Sequence, residues 1–144
     1  MGPDQIEMVE VAPRDGLQNE KTLIETADKI ALIERAIAAG SRRIEVTSFV
    51  NPKKVPQMAD AEEACAGLPQ RDDVTYIGLV MNLRGAERAL ATGRIDQLGA
   101  VARLAQKRLG NRGQTRVLVV VQVVGLGRGE QDTVNAARAD KPRQ

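Results

Sequence analysis

An alternation of strand-like and helix-like segments in the first two thirds of the chain most constrains its fold. Three apolar runs of strand length lie at about 5–11, 43–47 and 74–80. Three segments whose apolar residues recur at helical spacing lie at about 27–39, 57–66 and 84–92. Strands that alternate with helices over short connections predict a parallel sheet in an α/β protein, either doubly wound or part of a β/α barrel.

The first helix has the clearest boundary signals. Thr26 is a favourable N-cap residue, and Gly40 lies where a left-handed residue commonly ends a helix. Ile30, Ile33 and Ile37 fall on one face at helical spacing, so this face should pack on the sheet.

Charge and composition change after Gly93. Residues 1–93 carry 11 basic and 15 acidic side chains, a net charge of −4, whereas residues 94–144 carry 10 and 4, a net charge of +6. We therefore predict a boundary here. Residues 1–93 would form the first three βα units of the sheet, and residues 94–144 would be a divergent basic tail, poorly ordered at its end.

The tail has weak signals for most functions. A weak helical pattern lies around Leu98–Leu109, and residues 117–124 form a strong β run. The glycines at 125, 127 and 129 lack the spacing of a dinucleotide-binding loop. The tail has no aromatic residue for base stacking, so we do not expect nucleic acid as a partner.

The sequence also suggests where the protein works. Cys65 is the only cysteine, which excludes an internal disulfide, and its place among apolar residues favours a core position. No apolar run reaches the roughly 18 residues of a membrane helix, and no secretory signal is visible. We therefore expect a cytoplasmic protein without a membrane partner.

Polar residues cluster where the predicted strands end. In α/β sheets and barrels, the loops at the carboxyl ends of the strands form the active site. This places five residues at one rim: Arg14, Asp15, Glu45, Ser48 and Asn82. Asp15 offers oxygens to a divalent cation, and Arg14 suits a carboxylate or a developing oxyanion.

Two glutamates in apolar strands support this interpretation. Glu10 and Glu45 would be buried, and buried carboxylates are usually paired, with Arg14 the nearest candidate for either. The alternatives are an exposed Arg14–Asp15 pair before a glycine turn and an edge strand with one solvated face. Arg42 and Arg43 would lie at the opposite rim in solvent.

Residues 7–93 resemble the start of the hydroxymethylglutaryl-CoA lyases. The segments that carry the resemblance are 9–21, 44–53, 55–58 and 82–85. The resemblance implies a TIM-type β/α barrel, present here as its first units. It also implies a carbon–carbon lyase of leucine degradation and ketone-body formation, which cleaves 3-hydroxy-3-methylglutaryl-CoA, an acyl-CoA substrate, to acetyl-CoA and acetoacetate. The resemblance is compatible with an oligomer and does not fix the oligomeric state.

The resemblance also implies roles for individual residues. Arg14 and Glu45 match catalytic positions, and Asp15 matches a ligand of a divalent cation, Mg²⁺ or Mn²⁺. Four further residues match positions next to the substrate or behind the site: Glu10, Gln18, Ser48 and Asn82.

The chain departs from the family after Gly93. The family's later units supply a His-x-His pair, an asparagine and a cysteine in a glycine-rich loop, whereas this chain contains no histidine. The resemblance therefore implies an incomplete site and a chain inactive alone. The shift in composition suggests that residues 94–144 derive from a different reading frame. The alternatives are a non-catalytic binding module and a fragment of a related metal-dependent synthase or carboxyltransferase.

Overall fold

The structure, a computed structural model, describes residues 6–102 and 119–123, the latter segment and residues 101–102 by backbone alone. The helices are α1 (Thr26–Ala38), α2 (Ala61–Ala66) and α3 (Leu83–Ala91), with a π-helical turn at Ala12–Gly16 and a 3-10 turn at Pro56–Met58. The strands are β1 (Arg43–Ser48), β2 (Thr75–Val80), β3 (Gln97–Ala102) and β4 (Val119–Val123).

The four strands form one sheet in the order β1-β2-β3-β4. The first three are parallel, with Glu45 beside Ile77 and Ile77 beside Gln97, while β4 pairs with β3 in the antiparallel direction. Helices α2 and α3 connect the parallel strands. This confirms the predicted α/β class and its parallel sheet.

The core lies between the helices and one face of the sheet. Ile33 and Ile37 of α1 and Cys65 of α2 pack with sheet residues such as Ile44 and Tyr76. The predicted burial of Ile33, Ile37 and Cys65 is confirmed, whereas Ile30 of the same stripe is half-buried. Gly40 and Gly93 both have positive φ, as expected for residues that end α1 and α3.

The predicted strand at 5–11 is wrong in extent. Among its described residues, 6–11, only Glu10 forms a bridge, parallel to Ile44, through hydrogen bonds of 2.9 Å from Glu10 N to Arg43 O and 2.8 Å from Glu45 N to Glu10 O. Ile6 and Met8 are exposed, because no described element packs on them. An apolar run becomes a strand only where a neighbour supplies a ladder and a packing surface.

Three further predictions need correction. Residues 97–102 are a strand rather than a helix, because β2 offers them a parallel edge. Thr26 is the first helical residue, and its hydroxyl donates to Asp60 at 2.6 Å instead of capping α1. Arg43 is largely buried and donates to Gln97 at 2.5 Å.

Of the remaining predictions for the tail, one is confirmed and the others lie outside the described residues. The β run at 117–124 is confirmed by β4. The glycines at 125–129, the rest of the predicted helix and the polar end lie outside the described residues. Among the described helices, none combines the length and apolar character that a bilayer crossing requires.

Candidate active site

A single π-helical turn places the first two candidate residues. Val11 O accepts hydrogen bonds from Arg14 N at 3.1 Å and Asp15 N at 2.7 Å. Buried Pro13 stands at the start of the turn, where its missing N–H leaves no bond unmade. Turns of this kind are rare and occur frequently at functional sites. The sequence showed the residues but gave no signal for the π-geometry.

Arg14 joins two carboxylates. Its Nε donates to Glu45 Oε1 at 2.5 Å, and its Nη1 donates to Asp15 Oδ1 at 2.9 Å. The Arg14 and Glu45 side chains are only 15% and 12% exposed, whereas Asp15 is 61% exposed. The buried pair therefore fixes the guanidinium, while Asp15 faces solvent at its outer side.

Glu45 lies on the sheet face opposite the helices. It stands beside Ile77 in register, and a Cβ built on Gly99 would lie 3.6 Å from Leu79 and 3.8 Å from Ile77. These residues therefore share a face, whereas Ile44 belongs to the helix-covered core. In a barrel, the face opposite the helices is the interior.

Two candidates carry a buried polar atom that has no hydrogen-bond partner within residues 6–102. These atoms are Gln18 Oε1 and Ser48 Oγ. Such orphan atoms are rare in folded proteins, because an unmade buried hydrogen bond costs free energy. They are the kind of atoms that a ligand or a further protein segment would satisfy.

The other two candidates have structural roles. Glu10 Oε1 accepts from Ala12 N at 2.8 Å, so this carboxylate supports the π-turn, and the structure records Arg14 with Glu45 rather than with Glu10. Asn82 Oδ1 accepts from Gly85 N at 2.9 Å and caps α3.

Sequence reasoning missed a buried polar network beside the site. Gln57 accepts from Ile24 N at 2.9 Å and donates to Thr22 O at 2.9 Å, which fixes the loop that follows Gln18. Lys29 Nζ reaches Gln57 O at 2.5 Å and Asp60 at 2.7 Å. One signal was visible, since Lys29 shares the apolar stripe of α1 with Ile33 at a spacing of four.

The described residues do not by themselves complete a site for a divalent cation. No group of three or more Asp, Glu, Cys or His side chains lies close enough there to hold one. Asp15 is the single predicted ligand, and one of its oxygens accepts from Arg14. Because Mg²⁺ prefers near-octahedral oxygen coordination, we derive no chemical step through a metal.

Curated proteins with similar sequences include hydroxymethylglutaryl-CoA lyases of bacteria and mammals. A 3-hydroxy-3-isohexenylglutaryl-CoA/hydroxy-methylglutaryl-CoA lyase of Pseudomonas aeruginosa is 57% identical over 91 residues, which are 63% of this chain and 30% of the relative. The mitochondrial hydroxymethylglutaryl-CoA lyase of Macaca fascicularis is 47% identical over 108 residues, 74% of this chain and 33% of the relative. Over its N-terminal part, the chain is a homologue of the hydroxymethylglutaryl-CoA lyases.

Solved structures agree. A hydroxymethylglutaryl-CoA lyase from Pseudomonas aeruginosa superposes with a TM-score of 0.64 at 53% identity, covering 68% of this chain and 32% of that one. An HMG-CoA lyase from Acinetobacter baumannii in complex with coenzyme A and 3-methylmalate gives a TM-score of 0.62 at 44% identity, covering 65% and 30%. No family model matches the chain.

The homology has a defined extent. The chain spans about a third of the length of the curated lyases that it matches. Its three parallel strands correspond to part of the TIM-type barrel of the solved lyases, as predicted. The boundary after Gly93 stays a prediction. The sheet continues past Gly93 into β3, but this continuity does not reveal the origin of residues 94–144.

Proposed function

We propose that this chain carries part of the active site of a hydroxymethylglutaryl-CoA lyase, centred on Arg14, Asp15 and Glu45. The observation that supports the proposal is the Arg14 guanidinium held by buried Glu45 at 2.5 Å on the sheet face opposite the helices. Homology to lyases at 44–57% identity supports the reaction class.

Arg14 would stabilise the negative charge that develops on the substrate. Cleavage removes the proton of the tertiary hydroxyl group, breaks the neighbouring carbon–carbon bond and leaves a thioester enolate. A guanidinium fixed before the reaction stabilises such an oxyanion without reorganising. Glu45 would keep the guanidinium in place. The Arg14–Glu45 hydrogen bond would therefore have to remain when the substrate binds.

The remaining candidates would complete the rim. The orphan atoms of Gln18 and Ser48 would hydrogen-bond the substrate or the residues that contact it. Glu10 would support the π-turn, and Asn82 would hold the start of α3 near the rim. The substrate would be an acyl-CoA, which the coenzyme A complex of the Acinetobacter lyase supports.

A divalent cation, Mg²⁺ or Mn²⁺, would meet Asp15 and supply electrophilic stabilisation once other groups completed its coordination. We infer that the chain alone is inactive, because it has no histidine and its described residues bring together no cation cluster. Its cellular location stays a prediction, and relatives named as mitochondrial exist.

A segment exchange tests the proposed function. Residues 7–93 would replace the matching segment of the Pseudomonas aeruginosa lyase, and acetoacetate release from 3-hydroxy-3-methylglutaryl-CoA would be measured. We expect an active chimera in which Arg14→Lys lowers kcat by about a hundredfold, since removal of one oxyanion donor commonly costs that much. Arg35→Ala, at an exposed position of α1, is the control and should keep full activity.

Two results would count against the proposal. One is a chimera that folds, as judged by circular dichroism and thermal unfolding, but does not cleave the thioester substrate. The other is an active chimera in which Arg14→Lys behaves like the control. For the isolated chain, turnover with Mg²⁺ or Mn²⁺ at the rate of the relatives would disprove the inferred inactivity.

A further inference from the structure

The turn that follows β1 is held by a single side chain of α3. Arg88 Nη1 donates to Val50 O at 3.1 Å, and its guanidinium carbon lies 5.8 Å from the centre of the Phe49 ring. The same guanidinium donates to both carboxylate oxygens of Glu62, at 2.6 and 2.9 Å. Three elements of the chain therefore meet at Arg88: the Phe49–Val50 turn, α2 and α3.

The turn is also packed against its neighbours with no spare room. A Cβ built on Gly85 of α3 would lie 2.6 Å from Phe49 O, and one built on Gly78 of β2 would lie 2.8 Å from the Phe49 ring. Phe49 N donates to Leu79 O at 2.8 Å. The turn thus has one close-packed position, which depends on where α3 lies.

Ser48 links this turn to the candidate site. It is the last residue of β1, it is fully buried, and its hydroxyl is one of the two orphan atoms of the rim. A displacement of the Phe49–Val50 turn would move the Ser48 backbone and hydroxyl with it.

We propose that Arg88 is a positioning residue, which fixes the Phe49–Val50 turn and through it the Ser48 hydroxyl at the rim of the active site. The geometry of the turn stands by itself, whereas its effect on catalysis rests on the proposed function. Arg88 does not touch the proposed reacting groups, and it acts through the turn alone.

An isolated surface ion pair would contribute little, because solvent and salt screen the attraction and ordering two long side chains costs entropy. Arg88 differs because its planar guanidinium binds the Glu62 carboxylate with two hydrogen bonds and donates a third to Val50 O. The same guanidinium also lies over the Phe49 ring. Lysine retains the charge but not the planar fork, so Arg88→Lys should not restore the arrangement.

Amide hydrogen exchange on the full chain tests the positioning role. We expect Arg88→Ala to speed exchange of the Phe49 amide, which donates to Leu79 O, roughly tenfold, the loss expected for a charge-assisted hydrogen bond, while the β1 amides at Glu45 and Val46 keep their wild-type rates. Arg88→Lys should behave like Arg88→Ala. Arg84→Ala is the matched control, because it removes the same charge from an exposed position of the same helix.

The outcomes are distinguishable. Equal acceleration of all sheet amides would mean general destabilisation and would overturn the inference, as would exchange identical to that of Arg84→Ala. In the active chimera, Arg88→Ala should lower kcat/KM several-fold more than Arg84→Ala. Equal kinetics there would remove the link to the site, whereas a folded but inactive parent chimera would reject the proposed function and leave the exchange result standing.

Discussion

Glu62 shows how one hydrogen-bonded pair makes stability depend on pH. The two bonds from Arg88 hold the pKa of the Glu62 carboxyl below its usual value, against the opposing effect of partial burial. A carboxyl whose pKa is lower in the folded state stabilises the fold above its unfolded pKa. That contribution disappears as the pH falls through the folded pKa.

We therefore expect the difference in Tm between the wild type and Arg88→Ala to be largest at neutral pH. It should shrink as the pH falls below the ordinary glutamate pKa of about 4.3 and the Glu62 carboxyl becomes protonated in the folded state. Thermal unfolding at a series of pH values measures it. A difference that stays constant through this range would show that packing on Phe49, rather than the ion pair, is the source.

Cys65 provides a second prediction at the residue scale. Burial in the core raises the pKa of its thiol to about 12, so almost none of it is thiolate at physiological pH. We expect a thiol reagent at pH 8 to leave the native protein unlabelled over the time in which it labels the urea-unfolded chain completely. Rapid labelling of the native protein would place Cys65 outside the core.

At the scale of elements, the buried network around Lys29 connects α1, the 3-10 turn and the loop after the candidate site. Lys29 is nearly fully buried and has two oxygen partners, Gln57 O and Asp60 Oδ1. A buried ammonium group destabilises the fold unless oxygen partners compensate its charge. The network therefore sets the path of the chain between the π-turn and α1.

Removal of one partner should expose that dependence. We expect Asp60→Ala to lower the free energy of unfolding by about 3 kcal/mol, because it leaves the Lys29 charge buried with one partner fewer. Lys29→Met, which removes the charge and keeps the apolar stem, should cost less. Urea unfolding measures both, and Lys21→Met at an exposed position is the control. Equal losses for the two Lys29-network variants would contradict the argument.

The elements differ in how far the sequence predicts them. The amphipathic stripe of Ile33 and Ile37 and the β-rich run of β1 were sufficient to place α1 and β1, because local periodicity and burial agree there. The need to neutralise a carboxylate in an apolar strand predicted Arg14 as the partner of either Glu10 or Glu45, and the structure pairs it with Glu45. Their roles in catalysis stay predictions.

Some strands cannot be predicted from the local sequence pattern, because their formation depends on the neighbouring strands of the sheet. Residues 97–102 have a weak helical pattern but become β3, because the open edge of β2 supplies a ladder. The 5–11 run has a better strand pattern, yet Glu10 is the one residue that pairs in the described stretch 6–11. Tertiary contacts decided both cases, and sequence periodicity contains no information on which edge is available.

At the scale of the whole molecule, residues 6–11 form a sheet edge that exposes apolar side chains. Ile6 is 90% exposed and Met8 is 81% exposed, beside backbone that is paired at Glu10 alone among these residues. In a closed barrel each strand has two neighbours, so a sheet edge of this kind is covered. Open apolar edges of soluble proteins tend to pair with other chains.

We therefore expect the isolated chain to self-associate through this edge, increasingly with concentration. Ile6→Lys combined with Met8→Lys should shift the sedimentation-velocity distribution toward monomer, because adjacent cations oppose edge pairing. Leu23→Lys with Leu83→Lys is the control: it adds the same charge at exposed apolar residues away from the edge. If both double variants reduce association equally, net charge is the cause, and the edge has no special part in assembly.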